Sequence, residues 1–287
     1  MIVNYDDVSI IVISFKSKNN VINLLSSIKN KFKIIIVENS KELSLQNYYK
    51  DIKNITFLSR NNIGFGPAIN DAAKLINSKY FLVLNPDLSK INEKFIIDFM
   101  NIANKLENNF GVLGPRYKNL EYDKSLKQSN KKHFLQLVEC ISGAALFFLK
   151  KSFDEVNGFD ENIFLYFEEN DLCKRMIKKN KKIYQINSIS IDHNRGNSFD
   201  SQDMSEVEAM KLNSIWHFAW SKFYYLKKNY TYPLALLITL PILIRTIIKI
   251  TYNYIFKNKK ELNKYKYRLS GFISSILLKK SYKRPNL

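Results

Sequence analysis

The stretch from Tyr80 to Leu84 constrains the fold of this chain more than any other. Five consecutive apolar or aromatic residues lead there into Asn85, Pro86 and Asp87. A continuous apolar run of this length that ends at a turn signal is typical of a central strand in a parallel sheet. Because proline cannot continue a strand ladder, the chain must turn at Pro86. The sequence therefore predicts a buried strand that presents Asp87 just beyond its carboxyl end.

That place makes Asp87 a candidate ligand-binding residue. Ligands of open α/β sheets bind outside the carboxyl ends of the strands, and a carboxylate there suits a hard cation such as Mg²⁺ or Mn²⁺. The alternative is a helix N-cap, because residues 88–105 could form a helix and aspartate is a favoured cap. Asp87 alone leaves both interpretations open.

Two earlier apolar runs predict a parallel sheet. Val8–Ser14 and Lys33–Glu38 are β-branched and nearly continuous, and residues 20–29 between them carry apolar side chains at helical spacing. Strand, helix and strand at this spacing form a right-handed βαβ unit. The strand ends, Ser14-Phe15 and Glu38-Asn39, then lie near each other on the rim where a nucleotide would bind. A solvated turn residue is the alternative for Glu38.

A glycine-bearing loop follows the third predicted strand, residues 54–58. Residues 61–70 include two glycines and a proline and lead into a predicted helix that runs to Ile76. Such a helix entrance suggests a tight turn whose backbone N–H groups face outward and could approach an anion or a sugar. An ordinary helix entrance explains the same residues.

The rest of the pattern extends the α/β domain. The sequence predicts further strands at 111–114, 140–149, 183–186 and 188–193, a helix at 91–106, and a long loop at 117–132. In the strand at 140–149, the small residues Gly143 and Ala144 would let a ligand approach closely. The loop at 117–132 is also of interest, because long loops in compact domains are often functional.

Three carboxylates follow the aromatic run at residues 164–167. Glu168, Glu169 and Asp171 lie in the first turn of a predicted helix. Glu168 and Asp171 are three residues apart and share a helix face, whereas Glu169 points elsewhere. Apolar neighbours can raise the pKa of a carboxyl, which suits a general base at the wall of a cleft. The structural alternative is that acids favour the first turn of any helix for electrostatic reasons.

His193 ends the last predicted strand and is a candidate metal ligand. The alternative is a structural role, which is the commoner one for a lone histidine. The chain contains three histidines and two cysteines, Cys140 and Cys173. The cysteines lack metal-ligand spacing and suit a reducing cytoplasm, and residues 1–7 show no signal-peptide pattern.

The charge balance favours an anionic partner. Lys and Arg total 45 against 26 Asp and Glu, a net charge of +19, which suits a phosphate-bearing substrate, an anionic membrane or a nucleic acid. A predicted helix at 205–228 precedes an apolar run at 233–244 and a cluster of lysines. The run has twelve residues, too few to span a membrane, so we expect an interfacial helical element with a basic flank. A buried helical hairpin is the alternative.

Taken together, these motifs resemble the family 2 glycosyltransferases, in particular their bacterial rhamnosyltransferase-like branch. The resemblance covers residues 8–230 and implies a GT-A fold, a Rossmann-like, mostly parallel α/β sheet flanked by helices. We expect a GT-A domain at residues 1–204 and a C-terminal helical, membrane-associated segment at 205–287. The matching elements, in chain order, are residues 8–15, 34–40, 62–70, 84–87, 142–145, 158–161, 164–173 and 193–198.

The resemblance also implies roles for individual residues. Asp87 and His193 would hold a divalent metal ion, Mg²⁺ or Mn²⁺, and Asp87 would also bind the diphosphate. Glu169 would be the catalytic base, with Asp171 as the alternative. The residues that would contact the nucleotide-sugar donor are Ser14, Phe15, Glu38, Asn39, Asn62, Gly64, Asn70, Asn85 and Asp87.

The chain departs from the family pattern in four places. Asn85 stands where the usual metal-binding triplet begins with aspartate, and Phe15-Lys16 replaces a Tyr-Asn pair. Glu38 replaces the aspartate that contacts the nucleobase, and Glu169 replaces a catalytic aspartate. A glutamate can still take a proton but must sit farther back, which keeps Asp171 open as the base.

The expected function is inverting transfer of a sugar from a nucleotide-diphosphate donor to a hydroxyl of a saccharide or lipid-linked saccharide. Cell-surface polysaccharide synthesis, such as that of O-antigen or capsule, is the expected setting. dTDP-rhamnose is the favoured donor and a UDP-sugar the alternative. We expect a cytoplasmic protein that binds peripherally to the anionic inner face of the cell membrane and has no nucleic-acid partner.

Three other functions compete with this one. A catalytically impaired relative would keep the nucleotide pocket, with Glu169 marking lost chemistry. A nucleotidyltransferase would have a glycine-rich basic loop after the first strand, but residues 14–18 contain no glycine. A nucleic-acid-binding protein would cluster its basic residues on one face with stacking aromatics, whereas the densest basic cluster here follows an apolar helix.

Overall fold

The structure is a computed structural model that describes residues 4–118, 133–194, 196, 198–200 and 203–284. By its internal packing the chain divides into two compact units. The first comprises Met1–Phe159 and Leu172–Asp200, and the second comprises Asp160–Asp171 and Ser201–Leu287. The predicted domain boundary between residues 204 and 205 stays a prediction.

The first unit contains one mixed sheet. In spatial order, its strands run β3-β2-β1-β4-β8-β6-β9-β5, and β7 pairs with β9. The strands are β1 (Val8–Ser14), β2 (Lys33–Glu38), β3 (Ile55–Ser59), β4 (Tyr80–Leu84), β5 (Leu88–Ser89), β6 (Val112–Tyr117), β7 (Leu135–Leu137), β8 (Ala145–Leu149) and β9 (Ile183–His193).

Helices flank this sheet. A short 3-10 helix, Tyr5–Asp7, precedes β1. The α-helices are α1 (Lys18–Leu25), α2 (Ser44–Tyr49), α3 (Phe65–Ala73), α4 (Glu93–Lys105), α5 (Lys150–Glu155) and α6 (Glu168–Lys178). The first four residues of α6 belong to the second unit.

The parallel half of the sheet confirms the predicted βαβ unit. β1 lies between β2 and β4, parallel to both, and Ser14 is in register with Glu38. Alternate residues of β1 enter the two apolar cores on opposite faces of the sheet, Ile10 in one and Ile11 in the other. Because both faces are covered, every residue of β1 is buried, which explains its continuous apolar sequence.

The second half of the sheet corrects three predicted strands. β8 begins at Ala145 and not at residue 140, and it runs antiparallel to β4 and β6. The two strands predicted at 183–186 and 188–193 are one strand, β9, whose register against β6 shifts between Pro115 and Arg116. Asn187 interrupts the apolar pattern at that irregularity, and its backbone N–H donates to the carbonyl of Phe134 (3.0 Å).

The helix-cap alternative for Asp87 is wrong. Residues 88 and 89 form β5, which pairs antiparallel with β9. The cap of α4 is Asn92, whose side chain accepts a hydrogen bond from the N–H of Phe95 (3.0 Å). Asp87 is therefore free of any capping role and lies between two strands, β4 and β5.

Two predictions fall partly or wholly outside the described residues. The predicted loop at 117–132 starts within β6, because Tyr117 is the last residue of that strand, and residues 119–132 are not described. Residues 195 and 197 of the matching element that begins at His193 are likewise not described.

Three long helices build most of the second unit: α7 (Met204–Asn229), α8 (Tyr232–Ile255) and α9 (Lys259–Ile276). α7 agrees with the helix predicted at 205–228. The core of the second unit contains Ala219, Phe223, Ala235 and Phe272, one or two from each helix. The segment 160–171 completes this unit.

Three of the four buried residues of helix α8 are polar, and most of its aliphatic side chains are exposed. The buried positions are Ala235, Thr239, Thr246 and Asn253, and the last three donate to carbonyls of their own helix (each 2.7 Å). This exposure contradicts the alternative of a buried hairpin. The exposed aliphatic residues of α8 are Leu234, Leu237, Ile238, Leu240, Ile244, Ile247, Ile248 and Ile255.

α8 is also longer than the apolar run suggested. It has 24 residues, because Arg245 and Lys249 are accommodated within the helix. In the part of the chain that the structure describes, it is the one helix whose length and composition would allow it to cross a membrane. The length of the twelve-residue run therefore does not exclude a spanning helix.

Candidate active site

The carboxyl ends of β1 and β2 hold a buried carboxyl group. Ser14 Oγ donates to Glu38 Oε2 (2.6 Å), and the N–H of Ser40 donates to Glu38 Oε1 (2.9 Å). Burial raises the pKa of Glu38, and the hydrogen bonds from Ser14 and Ser40 oppose that rise. A carboxyl fixed in this way can accept a hydrogen bond from a ligand N–H without reorganising.

The glycine-bearing loop is tied to the end of β2. Asn39 Nδ2 donates to the carbonyl of Gly64 (3.1 Å), and Asn39 Oδ1 accepts from the N–H of Ile63 (3.4 Å). Gly64 has a φ of +104° and immediately precedes α3, a conformation that residues with a Cβ rarely adopt. Asn62, also a predicted donor-binding residue, is half-buried in this loop.

Asn70 holds a second turn in place. Its Nδ2 donates to the carbonyl of Phe159 (2.9 Å), and its Oδ1 accepts from the N–H of Phe159 (2.8 Å). Gly158, with a φ of +61°, lies so close that a Cβ there would be 2.4 Å from Asn70 Oδ1. These bonds give Asn70 a structural role, and its predicted donor contact stays a prediction.

The turn after β1 is bonded to residues 199 and 200. The half-buried ring of Phe15 stacks on that of Phe199 (6.2 Å between centroids, 20° between planes). The N–H of Asp200 donates to the carbonyl of Lys16 (2.8 Å), and Asp200 Oδ2 accepts from the N–H of Asn19 (2.7 Å). Asp200 thus satisfies a backbone donor in the first turn of α1.

Asp87 and His193 form a buried pair. His193 Nε2 lies 3.3 Å from Asp87 Oδ1, and the side chains are 8% and 3% exposed. The N–H of Asn194 donates to the carbonyl of Asp87 (3.0 Å), which ties the end of β9 to the turn after β4. The ring of Tyr117 packs against His193 (5.5 Å), and the Tyr117 hydroxyl accepts from the N–H of Ala145 (3.1 Å).

This pair fits a divalent metal ion with a partly substrate-derived ligand shell. Asp87 Oδ1 is buried and accepts no hydrogen bond within the described part of the chain. Among those same residues, no group of three or more His, Cys, Asp or Glu side chains could hold a metal. One carboxylate and one imidazole can bind Mg²⁺ or Mn²⁺ when phosphate oxygens and water supply the other positions.

In the second unit, Glu168 and Glu169 begin α6 with different surroundings. Glu168 is 3% exposed, and its Oε2 has no hydrogen-bond partner among the described residues. Burial, and secondarily the charge of Glu169, raise the pKa of Glu168 well above its usual range. Glu169 is only half-buried.

Asp171, the alternative base, is engaged in an ion pair. Its side chain is fully buried, and its Oδ1 lies 2.8 Å from Lys228 Nζ. The same ammonium group lies 2.6 Å from Asp160 Oδ2. Asp171 is therefore part of a buried ion pair, and the choice between Glu169 and Asp171 as the base stays a prediction.

The residues before Glu168 have an unusual backbone. Tyr166 and Phe167 have φ values of +67° and +68°, a conformation that is rare for bulky side chains. α7 holds this segment: Ser221 Oγ donates to the carbonyl of Leu165 (2.8 Å), and the Phe167 ring contacts that of Phe218 (5.4 Å). Strained backbone of this kind occurs at functional sites when the surroundings maintain it.

Comparison with known proteins identifies the family. Residues 9–156, more than half of the chain, match the family described as glycosyl transferase family 2. The chain belongs to that family. The predicted family is thereby confirmed, and the protein is a glycosyltransferase.

Relatives of this family 2 glycosyltransferase include the low-salt glycan biosynthesis hexosyltransferase Agl10 of Haloferax volcanii. The two are 27% identical over 215 residues, which are 66% of this chain and 68% of Agl10. Residues 1–349 of S. aureus TarS in complex with UDP-GlcNAc have a TM-score of 0.55 at 16% identity, covering 96% of this chain and 93% of that one. The same fragment in a second structure has a TM-score of 0.52 at 14% identity, with the same coverage.

These comparisons confirm the predicted GT-A fold. The TarS likeness concerns the fold alone at such identities. The structure of this family 2 enzyme brings predicted residues together in pairs: Ser14 with Glu38, Asn39 with Gly64, and Asp87 with His193. Asn85 is half-buried, and its backbone N–H donates to the carbonyl of Ala144 (2.9 Å).

Several residues of the site were not predicted from sequence. Tyr117 supports His193, Phe199 and Asp200 hold the turn after β1, and Lys228 pairs with Asp171. None of them belongs to a local motif that could have been found. A lysine near the end of a helix, for instance, is explained by the helix dipole alone.

Proposed function

We propose that the protein is a metal-dependent, inverting glycosyltransferase that moves a sugar from a nucleoside-diphosphate donor to an acceptor hydroxyl. The observation that carries the proposal is the buried pair of Asp87 and His193, which follows β4 and ends β9. A buried carboxylate beside an imidazole, at strand ends of a GT-A sheet, suits a cation that binds a diphosphate.

The first unit supplies the groups for the donor. Glu38, held by Ser14 and Ser40, accepts a hydrogen bond from an N–H of the nucleobase. Asp87 and His193 provide the protein ligands of Mg²⁺ or Mn²⁺, which, when bound, neutralises the charge that develops on the leaving diphosphate. The outward N–H groups of the loop at Gly64 approach the sugar or a phosphate.

Glu169 is the proposed base. Glu169 accepts the proton of the acceptor hydroxyl while that oxygen forms a bond to the anomeric carbon. The bond from the anomeric carbon to the diphosphate oxygen breaks, and its electron pair leaves with the nucleoside diphosphate. One direct displacement inverts the anomeric carbon and needs no covalent intermediate on the enzyme.

The donor and acceptor are narrower parts of the proposal. The resemblance to the rhamnosyltransferase-like branch favours dTDP-rhamnose. TarS in complex with UDP-GlcNAc supports a UDP-sugar as the alternative. A saccharide or lipid-linked saccharide of a cell-surface polysaccharide is the proposed acceptor, and Agl10, whose name assigns it to glycan biosynthesis, supports this class.

A thermal-unfolding screen tests the donor site. The protein is heated with UDP, dTDP, UDP-GlcNAc or dTDP-rhamnose, each with and without Mn²⁺. A ligand that binds only the folded chain raises the free energy of unfolding by mass action, by about 2.7 kcal/mol at 100 times its Kd, and the unfolding midpoint rises with it. We expect a Mn²⁺-dependent shift with one base only. No shift with any of these ligands would reject the proposal in favour of a chain that has lost its nucleotide site.

A second proposal concerns location: α8 binds the protein peripherally to an anionic membrane, at the cytoplasmic face. Most of its aliphatic side chains are exposed while Thr239 and Thr246 are buried, the reverse of a helix on a soluble protein. Arg245 is exposed near the middle of the helix, where a charge disfavours a spanning arrangement. The exposed lysines that follow α8 suit anionic headgroups: Lys257, Lys259, Lys260 and Lys266.

Vesicle flotation tests this second proposal. The protein is mixed with vesicles of phosphatidylcholine, alone or with phosphatidylglycerol. We expect the protein to float with the anionic vesicles and to be released from them by alkaline carbonate. Flotation should decrease at 0.5 M salt, because the Debye length is then roughly 4 Å and exposed charges are screened. Retention after carbonate would show a spanning helix, and absence of flotation would reject membrane binding.

A further inference from the structure

One lysine joins the two ends of the segment that carries the proposed base. Lys228 Nζ lies 2.6 Å from Asp160 Oδ2 and 2.8 Å from Asp171 Oδ1. Asp160 and Asp171 are the first and last residues of the segment of the second unit that contains Glu168 and Glu169. A single ammonium group near the end of α7 therefore closes a loop of chain around these two glutamates.

The two carboxylates are buried, whereas the Lys228 side chain that neutralises them is partly exposed. Asp160 and Asp171 side chains are 9% and 0% exposed, whereas 31% of the Lys228 side chain is exposed. Burial alone would raise the pKa of Asp160, but hydrogen bonds from Lys228 and Asn162 outweigh it and lower that pKa to about 2. Removing the lysine takes a shared ammonium group away from two buried carboxylates, which favours movement of the chain that carries them.

Neighbouring residues of α7 complete the same network. The hydroxyl of Tyr224 donates to Asp160 Oδ2 (2.9 Å), and Asn229 Nδ2 donates to Asp171 Oδ1 (3.5 Å). Both are neutral, so neither can replace the charge of Lys228. The ammonium is the element of the network that compensates both carboxylates at once.

The enclosed segment needs such a closure. Tyr166 and Phe167 hold consecutive positive φ values directly before Glu168. Each such residue costs about 1–3 kcal/mol and persists only where the surroundings enforce it. With its ends released, the segment can relax into ordinary backbone conformations, which changes the direction in which Glu169 leaves the chain.

We propose that Lys228 is a positioning residue of the transfer reaction, which closes segment 160–171 and thereby holds Glu169 where it accepts the acceptor's proton. The inference rests on the proposed function, in which Glu169 is the base. In this proposal Lys228 acts through the segment that carries Glu169 and not on the donor itself. Its loss should therefore reduce kcat and leave nucleotide binding, a property of the first unit, unchanged.

The test compares Lys228→Met, Lys228→Arg and the control Lys211→Met in the full chain. Lys211 is an exposed lysine of the same helix. Hydrogen–deuterium exchange of peptides within residues 160–171 measures closure. Release of nucleoside diphosphate from UDP-GlcNAc or dTDP-rhamnose measures turnover, and the Mn²⁺-dependent midpoint shift measures nucleotide binding.

For Lys228→Met we expect exchange in 160–171 to rise at least about 10-fold, because the strained segment opens locally. We expect kcat to fall about 100-fold, the loss that a displacement of roughly 1 Å can cause, with an unchanged nucleotide shift. Lys228→Arg should restore closure and most of kcat, since its guanidinium can bond two carboxylates. Lys211→Met should resemble the wild type.

Two outcomes overturn the inference. One is a Lys228→Met protein whose exchange in 160–171 and kcat match those of Lys211→Met. The other is an equal loss of kcat and nucleotide binding, which indicates general unfolding. If Lys228→Met does not fold, Asp160→Asn releases one end only and should raise exchange next to residue 160. If the wild type turns over no donor, the proposed function fails, and the exchange data still decide whether Lys228 closes the segment.

Discussion

The imidazole of His193 meets the carboxylate of Asp87 through strand pairing and not through a flexible loop. Leu88, the residue after Asp87, is the antiparallel partner of His193 in the sheet, so the pairing of β5 with β9 sets the 3.3 Å between Nε2 and Oδ1. β5 has only two residues, yet its pairing fixes the distance between two groups far apart in the chain. Groups fixed in this way need little reorganisation when a ligand arrives.

Replacing Asp87 should abolish metal-dependent donor binding. Asp87→Asn keeps the size of the side chain but removes the charge that a divalent cation requires. We expect the Mn²⁺-dependent part of the nucleotide-induced midpoint shift to disappear and donor turnover to fall at least about 100-fold. Asp98→Asn is the control, because Asp98 forms a surface pair with Lys94 within α4. A preserved Mn²⁺ effect in Asp87→Asn would remove Asp87 from the metal site.

Replacing Glu169 should reduce turnover and spare nucleotide binding. Glu169→Gln removes the proton acceptor, and a general base contributes about 100- to 10,000-fold to a rate. Glu168→Gln is the matched neighbour: burial raises the pKa of Glu168 and so favours its protonated form, which a carboxamide resembles in shape. We expect Glu168→Gln to reduce turnover by less than about 10-fold. The reverse order of the two losses would make Glu168 the reactive group.

Asp171→Asn should weaken folding more than Glu169→Gln does. Asp171 is fully buried against Lys228, and loss of the ion pair leaves the lysine with Asp160 alone. We expect the free energy of unfolding to fall by about 1–3 kcal/mol, against less than about 0.5 kcal/mol for the half-buried Glu169. Urea unfolding measures both. If both variants are fully folded and Asp171→Asn reduces turnover more than Glu169→Gln does, Asp171 is the base.

Acid should destabilise the second unit through His217. Burial lowers the pKa of His217 from 6.5 to about 4, while its Nε2 bonds the carbonyl of Lys283 (2.8 Å) and its Nδ1 the hydroxyl of Ser281 (3.1 Å). A histidine whose folded pKa is depressed stabilises the fold above its unfolded pKa. That stability is lost as the pH falls from about 6.5 to about 4, in all roughly 3 kcal/mol.

Chemical unfolding at a series of pH values checks this, with the fluorescence of Trp216 and Trp220, both on α7, as the signal. His217→Gln should be less stable than the wild type at pH 7, but acidification should lower its free energy of unfolding by a smaller amount. His133→Gln is the control, since His133 is exposed. Equal acid dependence of the wild type and His217→Gln would contradict the assignment.

Charges on the outer face of α8 should release the protein from vesicles. Leu237 and Ile248 are 66% and 61% exposed. Leu237→Glu or Ile248→Glu removes an apolar contact worth about 2 kcal/mol and adds repulsion from anionic headgroups of about 1 kcal/mol. Together these predict a decrease in binding of about 100-fold for each substitution. Leu43→Glu, at an exposed leucine of the first unit, should float like the wild type. Unaltered flotation of both α8 variants would exclude this face.

The sequence was informative where burial dictates composition. β1, β2 and β4 were correctly predicted because both of their faces are covered, so that nearly every residue is apolar. β5 was missed because two residues carry no periodicity. β9 was divided into two strands because Asn187 interrupts its apolar pattern at the register shift.

The site was predictable only where its residues follow strands or aromatic runs. Asp87 and His193 could be selected because each stands at a strand end. Lys228 could not, because its partners Asp171 and Asp160 are 57 and 68 residues away in the chain. Such pairs depend on packing between elements, which local patterns do not encode.

The bonds between α7 and residues 160–171 also decide how this enzyme can be made more soluble. Deleting the C-terminal helices would be the obvious choice, because α8 carries the exposed apolar face. That deletion would also remove Lys228, Tyr224 and Ser221, which hold the segment that bears the glutamates. Polar substitutions on the outer face of α8 leave those bonds intact. Protein engineering should therefore redesign a surface and keep the full length of the chain.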